Sequence, residues 1–320
     1  MKRWSEIVVV GSSNTDLIIA LARIPRPGET ILGGEFFTAA GGKGANQAVA
    51  AARAGGAVSL VARLGNDDLA ERALAGFRRE GIRLEHVSRD RRARSGAALI
   101  FVDRRGENAI AVAGGANSRL SPAHLRKARQ TVARAKVLLM QLETPLDTVL
   151  AAARLGAANG SIVILNPAPA RSLPGELLRA TSILTPNETE AERLTGIRIR
   201  GIATAKLAAM KLLRRGLKTV IITLGARGAL AATRERSQWV PGFTVEAVDT
   251  TAAGDVFNGA LAVALTEHQS LEQAVRFAHA AAAISVTRRG AQPSAPTRRE
   301  IDAFLRARVR SPRPRRRRVN

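Results

Sequence analysis

From Ser121 onward the chain repeats one pattern: a short aliphatic run, then a longer stretch with helical periodicity. The runs are Val137 to Met140, Ile162 to Leu165, Ile183 to Thr185 and Val220 to Thr223. The helical stretches are Pro122 to Ala135, Leu146 to Ala158, Glu188 to Thr195 and Ala203 to Arg215. Parallel strands cannot be joined by tight turns and need a crossover, usually a helix. Strands covered on both faces read as continuous apolar runs rather than alternating ones. The pattern therefore predicts an α/β fold in which helices sandwich a mostly parallel sheet. Ile7 to Val10, Val58 to Val61 and Gly228 to Ala232 read as further strands, and Gly44 to Ala54 and Asp68 to Glu80 as helices. Sheets of this kind bind ligands at the carboxyl ends of their strands. That points to the loops at Asn14 to Asp16, Gln141 to Glu143, Pro186-Asn187 and Leu224-Gly225.

Between Asp16 and Ala40 the character changes. Leu17 to Leu21, Thr30 to Leu32 and Glu35 to Thr38 are short strand-like pieces, broken by Pro25, Pro27, Gly28, Gly33 and Gly34. Ala97 to Val102 and Asn108 to Val112 flank the turn Asp103-Arg-Arg-Gly106, which is a hairpin pattern. These pieces are expected to form one small sheet apart from the main one, with strands from about 16–40 and 94–115. Residues 1–309 are expected to form a single domain.

With 46% hydrophobic and 24% charged residues the chain can bury a sizeable core. Aromatics are 3% and Tyr is absent, so that core rests on Ala, Val, Leu and Ile. The absence of Cys excludes disulfides, thiolate metal sites and a thiol nucleophile. No apolar run reaches membrane-spanning length or reads as a secretory signal, so a soluble cytoplasmic protein is expected. The net charge of +24 raises nucleic-acid binding as an alternative. Six residues of the segment 310–318 are Arg, in a Pro-broken tail (310–320) expected to be disordered. Removing those six still leaves about +18, so the charge is spread along the chain. Few aromatics are available for base stacking. Nucleic-acid binding is therefore kept only as an extra property of the tail. It would be salt-sensitive and lost on deleting 310–320.

Two constellations carry chemistry. Asp249-Thr-Thr-Ala-Ala-Gly-Asp255 precedes an apolar-faced helix beginning near Val256. Ala252, Ala253 and Gly254 are small enough for their N–H groups to approach a phosphate, and a helix N-terminus favours an anion. Asp255 could take a proton from an attacking hydroxyl there, or merely cap the helix. The second constellation is Ala40-Gly-Gly-Lys43-Gly-Ala-Asn46-Gln47. It lacks the Ser or Thr of a Walker loop, and it offers Lys43 and Asn46 as donors to a polyhydroxyl ligand or is a tight turn with a solvated Lys. Asn14, Asp16 and Glu143 have two readings each, hydroxyl binding or local structure such as an Asx-turn.

Together these segments resemble the ribokinase family of carbohydrate kinases from Val8 to about Leu305. The resemblance is carried by the Gly41 to Ala48 and Asp249 to Gly259 regions, with Asn166 to Ala170, Thr185 to Glu192 and Arg288 to Ser294. Many members of the family carry Gly where this chain has Ala253. The Ala-Ala-Gly-Asp form looks like the ribokinase branch itself.

The resemblance implies a three-layer α/β/α fold with a small β-sheet lid. It implies ATP-dependent phosphorylation of D-ribose at O5, or of deoxyribose, another pentose or a nucleoside. Asn14, Asp16, Gly42, Lys43, Asn46 and Glu143 match sugar-binding positions. Asp255 matches the base, and Ala252 to Asp255 an anion hole. Asn187 and Glu190 match an element linked to Mg²⁺ and phosphate. Thr223, Gly225, Ala226 and Gly228 match the nucleotide loop. His279 matches a position near adenine, although a lone His on the Ala-rich helix Ala278 to Ala283 reads by itself as core. Asp249, Thr251, Ser285, Arg288, Gly290 and Ser294 match a monovalent-cation site, usually K⁺, and an oxygen-rich set suits such an ion. A homodimer through the lid is also implied, since Ile19 and Phe37 are apolar residues expected on exposed lid faces.

Overall fold

The computed structural model describes residues 6–105 and 107–310. Gly106 of the hairpin turn and nearly all of the basic tail, 311–320, lie outside the described residues.

The first half of the chain interleaves two sheets. Strand β1 (Ile7–Val10) leads to β2 (Asn14–Ala20) and β3 (Glu35–Gly41), then helix α1 (Lys43–Arg53). Next come β4 (Val58–Gly65), α2 (Asp68–Arg79), β5 (Arg83–Asp90), β6 (Gly96–Val102) and β7 (Asn108–Ala113). A 3₁₀ turn at Gly115–Arg119 leads to α3 (Pro122–Lys127), α4 (Arg129–Ala133), β8 (Val137–Met140), α5 (Leu146–Ala158) and β9 (Ile162–Leu165). Then follow α6 (Gly175–Ala180), β10 (Ile183–Leu184), α7 (Glu188–Thr195), α8 (Ile202–Leu213) and β11 (Thr219–Thr223). The last elements are β12 (Ala229–Ala232), β13 (Ser237–Val240), α9 (Ala253–Thr266), α10 (Leu271–Ser285) and α11 (Arg298–Arg310).

The nine-stranded sheet has the order β13-β12-β11-β10-β9-β8-β1-β4-β5. From β11 to β5 every pairing is parallel, and β12 and β13 add an antiparallel edge. Alternation along β1 explains the layers. Ile7 and Val9 face α1, α9 and α10, whereas Val8 and Val10 face the side covered by α3 to α8. Both faces are thus sealed, as the aliphatic runs anticipate. The small sheet has the order β3-β2-β6-β7 and collects the early strands and the hairpin, also as anticipated.

Several expectations need correction. Thr30 to Leu32 is not a strand, and Leu32 is 91% exposed. Prolines and glycines on either side leave that piece no partner strand. Pro122 to Ala135 is two short helices meeting at Ala128. Strand β12 is antiparallel, because a short turn joins it to β11. Strand β5 (Arg-Leu-Glu-His-Val-Ser-Arg-Asp) escapes the aliphatic signal because it is a half-exposed sheet edge, where polar residues are favoured. Ile19 and Phe37 project from opposite faces of the small sheet, since Ile19 pairs with Phe36 and Phe37 with Ile18. Asp16 lies on the Phe37 face with Ile110 and Val112, and Phe36 and Leu99 on the other. Arg310, assigned to the tail, ends α11.

Candidate active site

Helix α9 begins without a side-chain cap. Its N-cap residue is Ala252, held in the left-handed conformation at φ 59°. A non-glycine residue there costs about 1 kcal/mol, and it turns the Asp249–Thr251 loop sharply into the helix. The N–H groups of a helix's first turn have no intrahelical partners; that of Ala253 turns back onto the Thr250 carbonyl at 3.3 Å, which leaves those of Gly254 and Asp255 as the uncovered donors of α9. A Cβ added to Gly254 would meet no protein atom within 4 Å, because Gly254 faces open space. Asp255 is buried in that first turn and does not cap the helix. Its Oδ2 accepts from Asn46 Nδ2 at 3.0 Å and its Oδ1 from Gln47 Nε2 at 2.9 Å.

Those bonds depend on a close crossing of α1 and α9. A Cβ at Gly259 would lie 2.7 Å from both the Ala50 Cβ and the Gln47 carbonyl oxygen. Only a glycine permits that approach, which brings Asp255 within reach of α1. Gln47 is itself fixed. Its Nε2 also donates to Asn166 Oδ1, and its Oε1 accepts from Gln141 Nε2 at 2.5 Å. Asn258 donates to the Gly254 carbonyl and accepts from Thr185 Oγ1, tying the α9 turn to the end of β10. Burial raises the Asp255 carboxyl above its ordinary range, although the Lys43 ammonium and the two amide donors oppose this. Lys43 is pulled down by burial, but Asp255, Glu143 and Glu190 outweigh it and raise it, so Lys43 stays charged.

Three of the expected sugar-binding residues, Lys43, Asn46 and Glu143, lie near Asp255. Asn46 Oδ1 is buried with no hydrogen-bond partner, an open acceptor next to Asp255. Glu143, just past β8, accepts through Oε2 from the Ser12 hydroxyl at 2.5 Å and from the Lys43 backbone N–H at 2.9 Å. One of its oxygens thus caps α1 from across the sheet and the other carries no such bond. Gly42 has φ 87°, and a Cβ there would lie 2.6 Å from the Asn14 nitrogen. The chain can therefore turn tightly from β3 into α1 only with glycine. Asp16 packs its carboxylate against Gly41, where a Cβ would approach it to 2.4 Å. No described residue hydrogen-bonds that carboxylate. Burial, and then the Glu143 charge, push it up to about 6.

Two clefts flank the start of α9. One, of about 170 Å³, is lined by Lys43, Asn166, Thr185, Glu190, Asp255 and the Ala252–Gly254 turn among others. The other, of about 450 Å³, is lined by Gly225, Ala226, Phe243, Phe257 and His279 among others. Asn187, Thr223, Thr250, Ala253 and Gly254 line both, so the clefts share a wall. Gly228 lies off the larger cleft and closes the turn into β12, where a Cβ on it would lie 2.1 Å from the Val240 carbonyl oxygen. His279 is buried on α10, edge-on to Phe257 at 5.0 Å, and burial brings its ring down to about 4, so it is neutral. Its Nε2 has no partner. His279 is therefore a core residue that also lines the larger cleft. Asn187 and Glu190 cap α7 reciprocally, Glu190 accepting from the Asn187 N–H and Asn187 from the Glu190 N–H.

Asp249 joins the α9 loop to the segment after α10. Its Oδ1 accepts from the Thr251 N–H and its Oδ2 from the Gly290 N–H, both at 2.8 Å. Burial alone would raise this carboxyl, but these donors hold it below its ordinary range. Ser285 and Ser294 spend their hydroxyl protons on the Ala282 and Ala291 carbonyls, and Arg288 pairs with Glu300. Among the described residues no cluster of three His, Cys, Asp or Glu side chains could hold a metal ion. No helix among them is long and apolar enough to cross a membrane.

A family model for the pfkB family carbohydrate kinases matches residues 5–298. The chain belongs to the pfkB carbohydrate kinase family. It is 46% identical over 299 residues to the ribokinase of Haemophilus influenzae, covering 93% of this chain and 98% of that protein. It is 38% identical over 301 residues to the deoxyribokinase of Salmonella typhi, covering 94% and 98%. The structure of Arabidopsis thaliana ribokinase complexed with ribose and ATP superposes with a TM-score of 0.90 at 34% identity, covering 95% of this chain and 99% of that one. The ribokinase-like α/β fold expected from the sequence is therefore present.

In this pfkB kinase Lys43, Asn46, Glu143 and Asp255 converge, and they are held by residues that carry no motif role. Gln47 and Asn258 lie inside the quoted motifs and were given no role, as was Asn166. Ser12 and Gln141 lie in loops singled out only as strand ends. What could have drawn attention to them is polarity where strand ends and helix faces must be buried.

Proposed function

We propose that this chain is a ribokinase: it transfers the γ-phosphoryl group of ATP to O5 of D-ribose, giving D-ribose 5-phosphate and ADP. The observation that carries this reading is the buried Asp255 at an uncapped helix start, gripped by Asn46 and Gln47 rather than capping the helix. The likeness to the two ribokinases supports ribose as acceptor and ATP as donor.

In the mechanism, Asp255 accepts the proton of the primary hydroxyl as its oxygen attacks the γ-phosphorus in line. The first-turn N–H groups of α9 and the Lys43 ammonium balance the charge on the transferring group, with ADP as the leaving group. Asp16, Asn14, Asn46, Gly42 and Glu143 hold the sugar. The small sheet serves as a lid that excludes water. Adenine enters the larger cleft beside His279 and along Thr223, Gly225 and Ala226.

Mg²⁺ keeps most of its own waters and binds largely through substrate phosphates, which suits a site offering the Glu190 carboxylate and no carboxylate cage. It would supply charge neutralisation of the phosphates. A monovalent cation, K⁺ by preference, would sit at the Asp249–Gly290 junction and stiffen the loop that carries Ala252. Two copies are proposed to pair through the lid face bearing Phe36 and Leu99, which are 62% and 51% exposed. A single folded species of monomer mass at micromolar concentration in light scattering would refute that pairing.

The test of the activity is ATP consumption coupled to a panel of pentoses, deoxyribose and nucleosides. Ribose should give the highest kcat/KM. The deoxyribokinase relative makes deoxyribose the second reading, and a preference for it would replace the first. No turnover with any of them would overturn both.

A further inference from the structure

Asn117 sits in the 3₁₀ turn that leaves the small sheet after β7. It is 1% exposed and makes three hydrogen bonds to one short stretch of chain. Its Oδ1 accepts from the Ser13 N–H at 2.9 Å. Its Nδ2 donates to the Ser13 carbonyl at 3.1 Å and to Asn14 Oδ1 at 2.7 Å. An N–H must be met by an acceptor, and a carbonyl by a donor. The Asn117 amide therefore has one permitted orientation, set by the backbone of Ser13. Its remaining N–H must find an acceptor, and it finds the oxygen of Asn14. Space confirms the fit: a Cβ at Gly96 would lie 2.2 Å from both Asn117 Nδ2 and Asn14 Oδ1.

We propose that Asn117 is a positioning residue for the sugar: it locks the Asn14 amide so that Asn14 offers N–H donors, not its oxygen, to the substrate. The proposal rests on the reading of Asn14 as a ribose contact. The need for such a lock follows from the other residues proposed to hold the sugar. Asp16, Glu143 and Asn46 Oδ1 are all acceptors. A sugar hydroxyl among acceptors alone would find partners for its proton and none for its lone pairs, and desolvated lone pairs cost affinity. Asn14, once locked, joins Lys43 in supplying donors. Asn117 also bridges the chain entering the small sheet at Ser13 and the chain leaving it, so the lock stands at the root of the lid.

Two near-isosteric variants test this. Asn117→Asp can still accept from Ser13 but cannot donate to Asn14, so Asn14 is free to turn. Asn14→Asp keeps the acceptor that Asn117 needs and loses the N–H groups for the sugar. Each is expected to raise the ribose KM about ten-fold or more, the worth of one good hydrogen bond. The ATP KM should stay within about two-fold of wild type. A folded, active Asn117→Asp or Asn14→Asp enzyme with the wild-type ribose KM would overturn the proposal, as would a matching rise in the ATP KM. If Asn117→Asp does not fold, Asn14→Asp decides alone, since an oxygen-presenting Asn14 would tolerate a carboxylate. Failure of the wild-type enzyme to phosphorylate ribose would instead count against the proposed function, and unchanged variants of an active wild type against this inference only.

Discussion

Asp255 and Asp16 are both aspartates that burial raises above their ordinary range. Asp255 hangs from the large sheet's helix layer, with both oxygens already held by amide N–H groups. Asp16 stands on the small sheet with no hydrogen-bond partner among the described residues, on a strand that is half exposed. The large sheet therefore fixes the carboxylate proposed as base before any ligand arrives. The small sheet keeps its carboxylate uncommitted, open to the sugar that the proposed function assigns to it. Preorganisation belongs to the chemistry and adaptability to recognition.

The sharpest way to break this contrast is Asp255→Ala. We expect kcat to fall by about 10² to 10⁴-fold, with ribose binding by calorimetry and thermal stability retained. Retained turnover would make Asp255 a spectator. Next in size is Gly259→Ala, which forces α1 and α9 apart. It should cost about 1–3 kcal/mol in denaturant unfolding and lower kcat as Asp255 loses register with Gln47. A fully stable Gly259→Ala protein would show that the crossing of α1 and α9 admits a methyl group. Gly254→Ala is the contrasting change on the same helix. Its methyl enters open space, so stability should hold or rise by about 0.5–1 kcal/mol, whereas kcat should fall about ten-fold as the methyl occupies the phosphate's approach. A loss of stability with normal turnover would reverse that assignment.

The smallest expected effect is a pH dependence of the uncommitted carboxylate. Asp16 must ionise to accept strongly from hydroxyls, so the ribose KM should rise as pH falls through about 6, by several-fold near pH 5. Asp16→Asn should flatten that profile. The stability effect has the opposite sense. The folded value lies above the unfolded 3.8, so the stabilising share of Asp16 is full below 3.8 and is lost as pH rises through about 6.

Legibility in the sequence followed the same division. The large sheet was readable because strands sealed on both faces must be continuous aliphatic runs, as in Val137 to Met140. The motif residues Lys43, Asn46 and Asp255 were readable because glycines and small residues punctuate their loops. Edge strand β5 was not, since an edge needs no apolar signature. Gln47, Asn166 and Asn117 were not, because each acts through another side chain, and contacts spanning some hundred residues leave no local trace. The exposed Thr30 to Leu32 looked like a strand because composition cannot say whether a partner is in reach.

Asn46 and Gln47 are neighbours on one turn of α1. Asn46 donates to Asp255 while keeping an open acceptor, and Gln47 donates to Asp255 and to Asn166. A change that shifts this turn to suit a different sugar would also move the proton acceptor. On the proposed reading, a change of acceptor that spares this turn would have to come from other residues on the Asp16 face of the small sheet, such as Ile110 and Val112 of β7.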